Sequence, residues 1–328
     1  NSALGAYYRQ NKKAVMQKLY SAEDARKQFQ VVTGVQDEYV MTEIEVTEMM
    51  QPYQAAWTPK GSVDFYPNVI KNRGIKVDFP FTPKKMEATW LGYLKTNGSS
   101  PEEYPFVAYI YDRILEKLAR DINKTVWQGV YAAPTPGTAG SAVSSFDGMI
   151  EVVKDARTAG TAATVATGAI TAANVVDKAE LMFDSVSEEF RNNSTVLVMS
   201  HTHLMYYLRK RRDPAFSNYS EDTIKGKDVF LDFADCRILA PKYYNSNLWF
   251  LTLPENMIMV EDGVNEEEKI IVQANRRELE VIIDCKRAVG LGISRGYTWA
   301  SDQGSKKTAQ GHTERSPSAA CAATPART

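Results

Sequence analysis

The spacing of apolar residues changes along the chain, and the first clear pattern is that of a strand. Between residues 38 and 50, Val40, Thr42, Ile44 and Val46 alternate with polar or longer side chains. A period of two with β-branched residues predicts a β-strand with one buried face. We therefore expect the face that carries Val40 and its three successors to lie against a core.

Residues 52–85 form a segment rich in proline and aromatic residues. It contains two short alternating runs, at residues 63–65 and 75–81, with turn-forming residues at 72–74 between them. The pattern predicts a long two-stranded hairpin built from these runs. Because an isolated hairpin is marginally stable in water, its aromatic side chains are best explained if it lies on another surface. The side chains expected to make this contact are Trp57, Phe65, Tyr66, Lys71, Arg73 and Phe79.

The strongest helical pattern follows. Between Pro105 and Gly129, apolar residues recur every four positions from 110 to 126. This predicts one helix over 105–129, which spans about 35 Å from residue 106 to residue 128 at about 1.5 Å per residue. The compact sequence Phe-Asp-Gly-Met-Ile comes shortly afterwards, at residues 146–150.

From Thr171 the pattern is that of an α/β domain. Thr171 is the expected N-cap of an apolar helix, and the apolar run at 195–199 predicts a buried strand that leads into a helix over 201–212. Short apolar runs between 237 and 293 predict further strands. Residues 301–328 have the composition of an extended or disordered tail.

The first thirty residues predict a charged helix with few apolar positions. Such a helix has too little apolar surface to join a core on its own. We expect an arm that packs on something else, such as a neighbouring chain.

Composition limits the chemistry without identifying it. The 39 Lys and Arg residues balance 40 Asp and Glu residues, for a formal net charge of -1, which argues against binding nucleic acid through bulk charge. The three cysteines form no C-x-x-C pair, which predicts free thiols in a reducing compartment. No apolar run approaches the ~20 residues of a membrane helix, and the first residues are polar and basic, unlike a secretion signal.

Motifs for catalysis are missing from the sequence. His201 and His203 are two residues apart on a predicted helix, so they point to nearly opposite sides and cannot easily share a metal. There is neither a glycine-rich phosphate loop nor a nucleophile elbow. We therefore expect no enzyme activity, no catalytic residue, no metal and no cofactor.

A compact basic run ends the helix predicted after residue 200. Cations suit a helix C-terminus, and a solvated helix end is the simplest interpretation. An acidic run at 261–268 is interpreted in the same way, as a solvated loop. A second interpretation is that the two runs meet head to tail on neighbouring copies. The basic residues are Arg209, Lys210, Arg211 and Arg212.

The order of these elements resembles the major capsid protein of tailed bacteriophages, which has the Hong Kong ninety-seven-type capsid fold. The resemblance covers about residues 35–295, and residues 146–150 look like the short Gly-containing stretch that follows the spine helix in many members. Further residues fit the family's strand ending in Met-Ser, its Leu-rich basic helix and the Arg between its closing strands. They are Val196-Leu197-Val198-Met199-Ser200, Leu204, Leu208-Arg209-Lys210, Asp213, and Arg276-Arg277.

The resemblance implies an α+β fold. It divides the chain into an N-terminal arm at 1–35, a peripheral-domain strand at 36–51, an extended β-hairpin (E-loop) at 52–85, the peripheral domain with the spine helix at 86–150, an α/β axial domain at 151–250, return strands to the peripheral domain at 251–300, and a C-terminal tail at 301–328.

It also implies a structural shell protein in the virion. Pentamers and hexamers would assemble in the host bacterial cytoplasm into an icosahedral capsid that holds double-stranded DNA by enclosure, without sequence specificity and without a membrane. The E-loop and the basic run would contact neighbouring subunits. Portal, scaffolding or protease proteins and possible decoration proteins would be further partners.

Two alternatives stay open at this point. An encapsulin-type nanocompartment shell shares the fold but encloses protein cargo. A soluble α/β enzyme with its site within 171–295 belongs to another class, and it predicts a small oligomer with several titratable residues in a pocket.

Overall fold

The fold is that of a computed structural model, which describes residues 19, 22–82, 90–91, 106–211, 224–225, 228–231, 234–263, 270–275 and 278–303. The α-helices are α1 Phe106–Gln128, α2 Met149–Thr158, α3 Val175–Asp184 and α4 His201–Arg211. The strands are β1 Gln30–Val32, β2 Glu38–Val46, β3 Val63–Lys71, β4 Arg73–Phe81, β5 Ala163–Ala166, β6 Thr195–Val198, β7 Ile224–Lys225, β8 Asp228–Phe230, β9 Cys236–Leu239, β10 Phe250–Thr252, β11 Met257–Glu261, β12 Ile270–Asn275, β13 Glu278–Leu291 and β14 Thr298–Asp302.

Three sheets organise these strands. A five-stranded sheet runs β1-β11-β13-β12. Its fifth strand, β4, pairs with the long strand β13 along the edge opposite β12. A seven-stranded sheet runs β5-β14-β10-β6-β9-β8-β7. Strands β2 and β3 pair only with each other within the described residues.

Helix α1 confirms the long helix predicted between Pro105 and Gly129. Its apolar stripe and that of α2 share one core with side chains from both larger sheets. Helices α3 and α4 cover the other face of the seven-stranded sheet. Strand β6 is therefore buried on both faces, with Val196 and Val198 in the first core and Leu197 in the second. This explains its continuous apolar sequence.

Two glycines hold the end of α1 against the start of α2. The backbone N–H of Gly148 donates to the carbonyl of Gly129 over 2.9 Å. A Cβ on Gly148 would lie 2.6 Å from the backbone nitrogen of Gly129 and 2.6 Å from the carbonyl oxygen of Thr125. The Phe-Asp-Gly-Met-Ile sequence thus contains a glycine because two backbones touch there.

We expect Gly148→Ala to lower the free energy of unfolding by about 3 kcal/mol, because backbone atoms cannot move aside as a side chain does. Urea denaturation measures this. Gly74→Ala is the matched control, since a Cβ there meets nothing within 4 Å. A cost for Gly148→Ala no larger than that for Gly74→Ala would contradict the close packing.

The N-terminal segment differs from the predicted helical arm. Residues 24–28 form a 3₁₀ turn, and β1 pairs in parallel with β11. Asn123 of α1 accepts a hydrogen bond from the backbone N–H of Ala25 at 3.0 Å, and Phe29 packs against Trp127 with ring centroids 5.3 Å apart. Residues 22–32 therefore pack on the core of their own chain, with Ala25 and Phe29 buried in it, contrary to the sequence-based interpretation of 1–35 as an arm. Residues 1–18 lie outside the described residues.

Two boundaries also move. Strands β10 and β14 pair within the seven-stranded sheet, although residues 251–300 were predicted to return to the peripheral domain. Helix α3 begins at Val175 rather than just after Thr171, because the side chain of Asn174 accepts the backbone N–H of Thr171 in a preceding turn.

The acidic run is not a solvated loop where it is described. Glu261 and Asp262 are buried. The carboxylate of Glu261 lies 2.6 Å from the Nη2 of Arg26 and 3.4 Å from the Nη1 of Arg287. The interpretation of this run as solvated is therefore wrong at these two residues, and residues 266–268 lie outside the described residues.

His203 is a buried structural residue of α4. Its Nδ1 accepts a hydrogen bond from the indole Nε1–H of Trp249 at 2.8 Å. Burial lowers the pKa of His203, and the hydrogen bond requires the neutral ring. The lone pair of Nδ1 is thus already used within the core.

We expect the stability of the seven-stranded domain to fall with acid through His203. Its pKa is lower in the folded state than the unfolded value of about 6.5, so the unfolded state binds more protons in that window. The contribution of neutral His203 to the free energy of unfolding is complete above about pH 6.5, and it is lost as the pH falls through the folded-state pKa of His203.

Urea midpoints across this range should fall more for the wild type than for His203→Gln. His201→Gln, at an exposed position, should keep the wild-type slope. Equal slopes for the wild type and His203→Gln would contradict this assignment. The pKa values of Glu43 and Asp155 are raised by burial and have the opposite effect, so the difference between the variants is the informative quantity.

Candidate intersubunit surface

Strands β2 and β3 form a two-stranded hairpin. The nine pairs run from Glu38 opposite Lys71 to Val46 opposite Val63, and residues 47–62 connect the strands. The sequence predicted a hairpin between the runs at 63–65 and 75–81, and this pairing is wrong. Strand β4, which holds the second run, pairs with β13 instead.

One face of the hairpin is apolar and exposed to solvent. We call it the outer face. It consists of the directly opposed pairs Val40 and Val69, Thr42 and Pro67, Ile44 and Phe65, and Val46 and Val63. Its six aliphatic and aromatic side chains other than proline are each between 42% and 62% exposed. The alternation was predicted correctly, but the face expected to be buried is the exposed one.

The opposite face, the inner face, is turned toward the body of the chain. Ile70 is buried, and Tyr39, Met41, Glu43 and Tyr66 are half-buried. The more polar face is therefore the one that the chain covers itself. Contiguous exposed apolar faces are uncommon on soluble monomers.

The connecting loop continues the apolar surface at the tip. Met49, Met50, Tyr53 and Trp57 are exposed, with Trp57 at 91%. Polar contacts inside the loop hold it in shape. The amide of Gln51 donates to the carbonyl of Thr58 at 2.7 Å, and the ammonium of Lys60 lies 2.9 Å from the carboxylate of Glu48.

The six predicted contact residues of the hairpin region lie on different surfaces of the structure. Trp57 and Phe65 lie on the exposed tip and outer face. Lys71 is exposed at the base, 3.7 Å from the carboxylate of Glu38. Phe79 is partly exposed on β4, in the five-stranded sheet.

The other two predicted contact residues face the chain itself. The guanidinium of Arg73 stacks on the ring of Tyr131 at 4.1 Å. Tyr66 is half-buried under the guanidinium of Arg295, 3.9 Å from its ring centroid. The contact residues predicted from sequence did not include five apolar residues of the outer face and three residues of the tip, although the alternation in β2 was visible. The missed residues are Val40, Ile44, Val46, Met49, Met50, Tyr53, Val63 and Val69.

The basic residues that were predicted to contact a neighbour at the end of α4 differ in exposure. Arg209 is exposed and Lys210 is half-buried. Arg211 is buried, with its Nη1 donating to the hydroxyl of Tyr207 at 3.5 Å, so its side chain is turned into its own chain rather than toward a neighbour. Arg212 lies outside the described residues.

Sites of other kinds are not found in the part of the chain that the structure describes. No three His, Cys, Asp or Glu side chains there are grouped to hold a metal. No helix there has the length and apolarity to cross a bilayer. Burial raises the pKa of the Cys236 thiol to about 11, which leaves it protonated and unreactive near neutral pH.

Solved structures with this arrangement of elements come from phage and related particles. A chain of the "Satellite phage P4 procapsid including size determination (Sid) protein" matches with a TM-score of 0.59 and 13% identity, over 89% of this chain and 90% of that chain. A chain of the "Capsid of empty GTA particle" matches with a TM-score of 0.55 and 12% identity, over 85% and 89%. A chain of "The capsid of Myoviridae Phage XM1" matches with a TM-score of 0.54 and 11% identity, over 85% and 91%.

The chain has the fold of phage capsid proteins. The α+β capsid fold implied by the sequence resemblance is thereby confirmed. No family model and no curated protein matches the sequence. Because the sequence identities are only 11–13%, the phage capsid fold is established by the similarity of the three-dimensional structures rather than by the sequences.

Proposed function

We propose that the chain is the major capsid protein of a tailed bacteriophage. Copies of it form pentamers and hexamers that close into an icosahedral shell around double-stranded DNA. The role is structural and needs no catalytic residue. Portal, scaffolding or protease and decoration proteins would be its further partners.

The observation that carries this proposal is the outer face of the hairpin. The face is apolar along all eight residues except Thr42, and it is exposed in the single chain. Burying one aliphatic or aromatic side chain contributes about 1.5–3 kcal/mol. A two-stranded ribbon with an exposed apolar outer face is explained if a second copy covers it, and the capsid fold supplies the setting in which copies meet.

The axial contact is a weaker part of the proposal. Arg209 is exposed and Lys210 is half-buried at the end of α4, so these two are the basic residues that we propose contact a neighbour, whereas Arg211 is buried. Charge at such a rim sets register and salt dependence more than affinity.

Assembly of the purified chain tests the function. We expect size-exclusion chromatography with light scattering to reveal particles of capsid size, which negative-stain microscopy resolves as closed shells. Nuclease-protected double-stranded DNA inside particles from infected cells would support the phage assignment. Enclosed protein without nucleic acid would replace it with the nanocompartment alternative, and a discrete small species under all conditions would reject both.

A further inference from the structure

The hairpin is fastened to the body in part at the end of β13 and the residue that follows it. The side-chain amide of Asn68 donates to the carbonyl of Leu291 at 2.6 Å and to that of Gly292 at 3.1 Å. Next to it, Ile70 packs on Gly290, where a Cβ would lie 2.7 Å from the Ile70 side chain. These contacts involve only the base of the hairpin.

The receiving segment is itself held rigidly by Asn256. The Oδ1 of this buried residue accepts the backbone N–H of Ile293 at 2.7 Å, and its Nδ2 donates to the carbonyl of Ile293 at 2.6 Å. The backbone N–H of Gly292 donates to the carbonyl of Asn256 at 2.9 Å. The hairpin is therefore fastened to a fixed point in the core.

Arg295 ends this segment and contacts both strands of the hairpin. Its guanidinium lies 3.9 Å from the ring centroid of Tyr66 on β3. Its Nη1 lies 3.8 Å from the carboxylate of Glu45 on β2. Burial raises the pKa of Glu43, and the nearby positive charge of Arg295 opposes this rise. One side chain thus joins the two strands to the body.

A groove of about 520 Å³ lies beneath the hairpin next to these contacts. Its walls come from β3, α2 and the end of β13, and include Tyr66, Val152, Asp155 and Arg295. At its base, the hairpin rests on a small apolar cluster in which Ile70 packs with Ile258, Val260 and Ala288. Beside the groove, its tilt also depends on the contacts that Arg295 makes with Tyr66 and Glu45.

We propose that Arg295, together with Asn68 and Tyr66, is a positioning latch that sets the direction in which the hairpin presents its outer face. This inference rests on the proposed function, in which a second copy covers that face. Asn68 and Val63 are about 17 Å apart at about 3.4 Å per residue, so a tilt of about 10° at the base moves the far end by about 3 Å. That displacement is enough to separate apolar side chains that must be in van der Waals contact.

The direction of the hairpin can be measured in unassembled subunits. Nitroxide labels on Val63→Cys and Lys124→Cys report the distance from the hairpin to α1 by double electron–electron resonance. Cys321→Ser removes one native thiol, and Cys236 and Cys285 are buried. We expect a narrow distance distribution for this parent and a distribution broader by about 3 Å for Arg295→Met.

Matched variants separate positioning from general damage. Arg113→Met removes an arginine of the same kind, which stacks on Tyr109 at 5.4 Å and pairs with Glu116 at 3.2 Å but lies on α1. It should leave the distribution narrow. Tyr66→Phe keeps the ring and should retain the parent distribution, whereas Tyr66→Leu should broaden it as Arg295→Met does.

An unchanged distribution in both Arg295→Met and Tyr66→Leu would overturn the latch. Because the distance is read before assembly, it does not depend on shell formation. Broadening in a protein that never forms shells would uphold the latch and reject the proposed function. Shells together with an unchanged distance distribution would uphold the proposed function and reject the latch.

Discussion

Replacing Ile44 by lysine and Phe65 by glutamate together is expected to abolish shell assembly while the subunit stays folded. The two residues are opposed on β2 and β3 and are 59% and 62% exposed. Opposite charges at a cross-strand pair support a hairpin. The substitution therefore changes the outer face without breaking the ribbon.

The expected loss follows from the apolar surface removed. Full burial of such a side chain contributes about 1.5–3 kcal/mol, and because these two are 59% and 62% exposed, covering both contributes about 2–4 kcal/mol at each contact. At about 1.4 kcal/mol per factor of ten, the subunit concentration needed for assembly should rise at least about 20-fold. Light scattering against concentration measures this, and the urea midpoint of the unassembled subunit should change little.

The control for this variant carries the same charges elsewhere. Val130 and Leu181 are exposed apolar residues outside the hairpin, so Val130→Glu with Leu181→Lys should assemble as the wild type does. Normal assembly of the hairpin variant, or equal loss in both double variants, would show that the outer face is not the contact.

Arg287→Met is expected to lower the free energy of unfolding by about 3–5 kcal/mol, because it removes a buried cation from between two buried carboxylates, of which Glu261 keeps only its pair with Arg26. Arg287 is 1% exposed in the middle of β13. Its Nη1 lies 3.4 Å from the carboxylate of Glu261, and its Nη2 lies 3.9 Å from that of Glu23. Both carboxylates are buried as well.

Urea denaturation of three variants isolates this cluster. Lys286→Met changes the adjacent residue, whose ammonium forms a partly exposed pair with Asp37 at 3.1 Å, and should cost about 1 kcal/mol or less. Adding Glu23→Gln to Arg287→Met should recover part of the lost stability, since a buried negative charge that has lost the nearby charge of Arg287 disappears. A cost for Arg287→Met as small as that for Lys286→Met would refute the buried network.

Local patterns predicted the elements that depend on local residues. The four-residue apolar repeat determines α1, and the alternation in β2 and the apolar run of β6 are properties of single segments. Their order was enough to indicate the capsid fold. Long-range pairing was not visible, which is why β3 was matched with β4 rather than with β2.

The errors at the site have a common physical cause. A sequence shows that one face of β2 is apolar, but whether the same chain or another copy covers that face depends on the assembly. In the same way, Glu261 belonged to an acidic run and was interpreted as solvated, while its partner Arg26 lies 235 residues earlier. The sequence did not indicate that Arg295 contacts the hairpin, because its contacts with Tyr66 and Glu45 exist only once the hairpin has formed.

Cryo-electron microscopy of the assembled protein tests the central claim most directly. The account predicts closed shells in which the hairpin of each subunit lies on a neighbouring copy, with Val40, Ile44, Phe65 and Val69 buried in that contact. Shells in which these side chains remain exposed to solvent, or a purified chain that forms no shell at all, would contradict it.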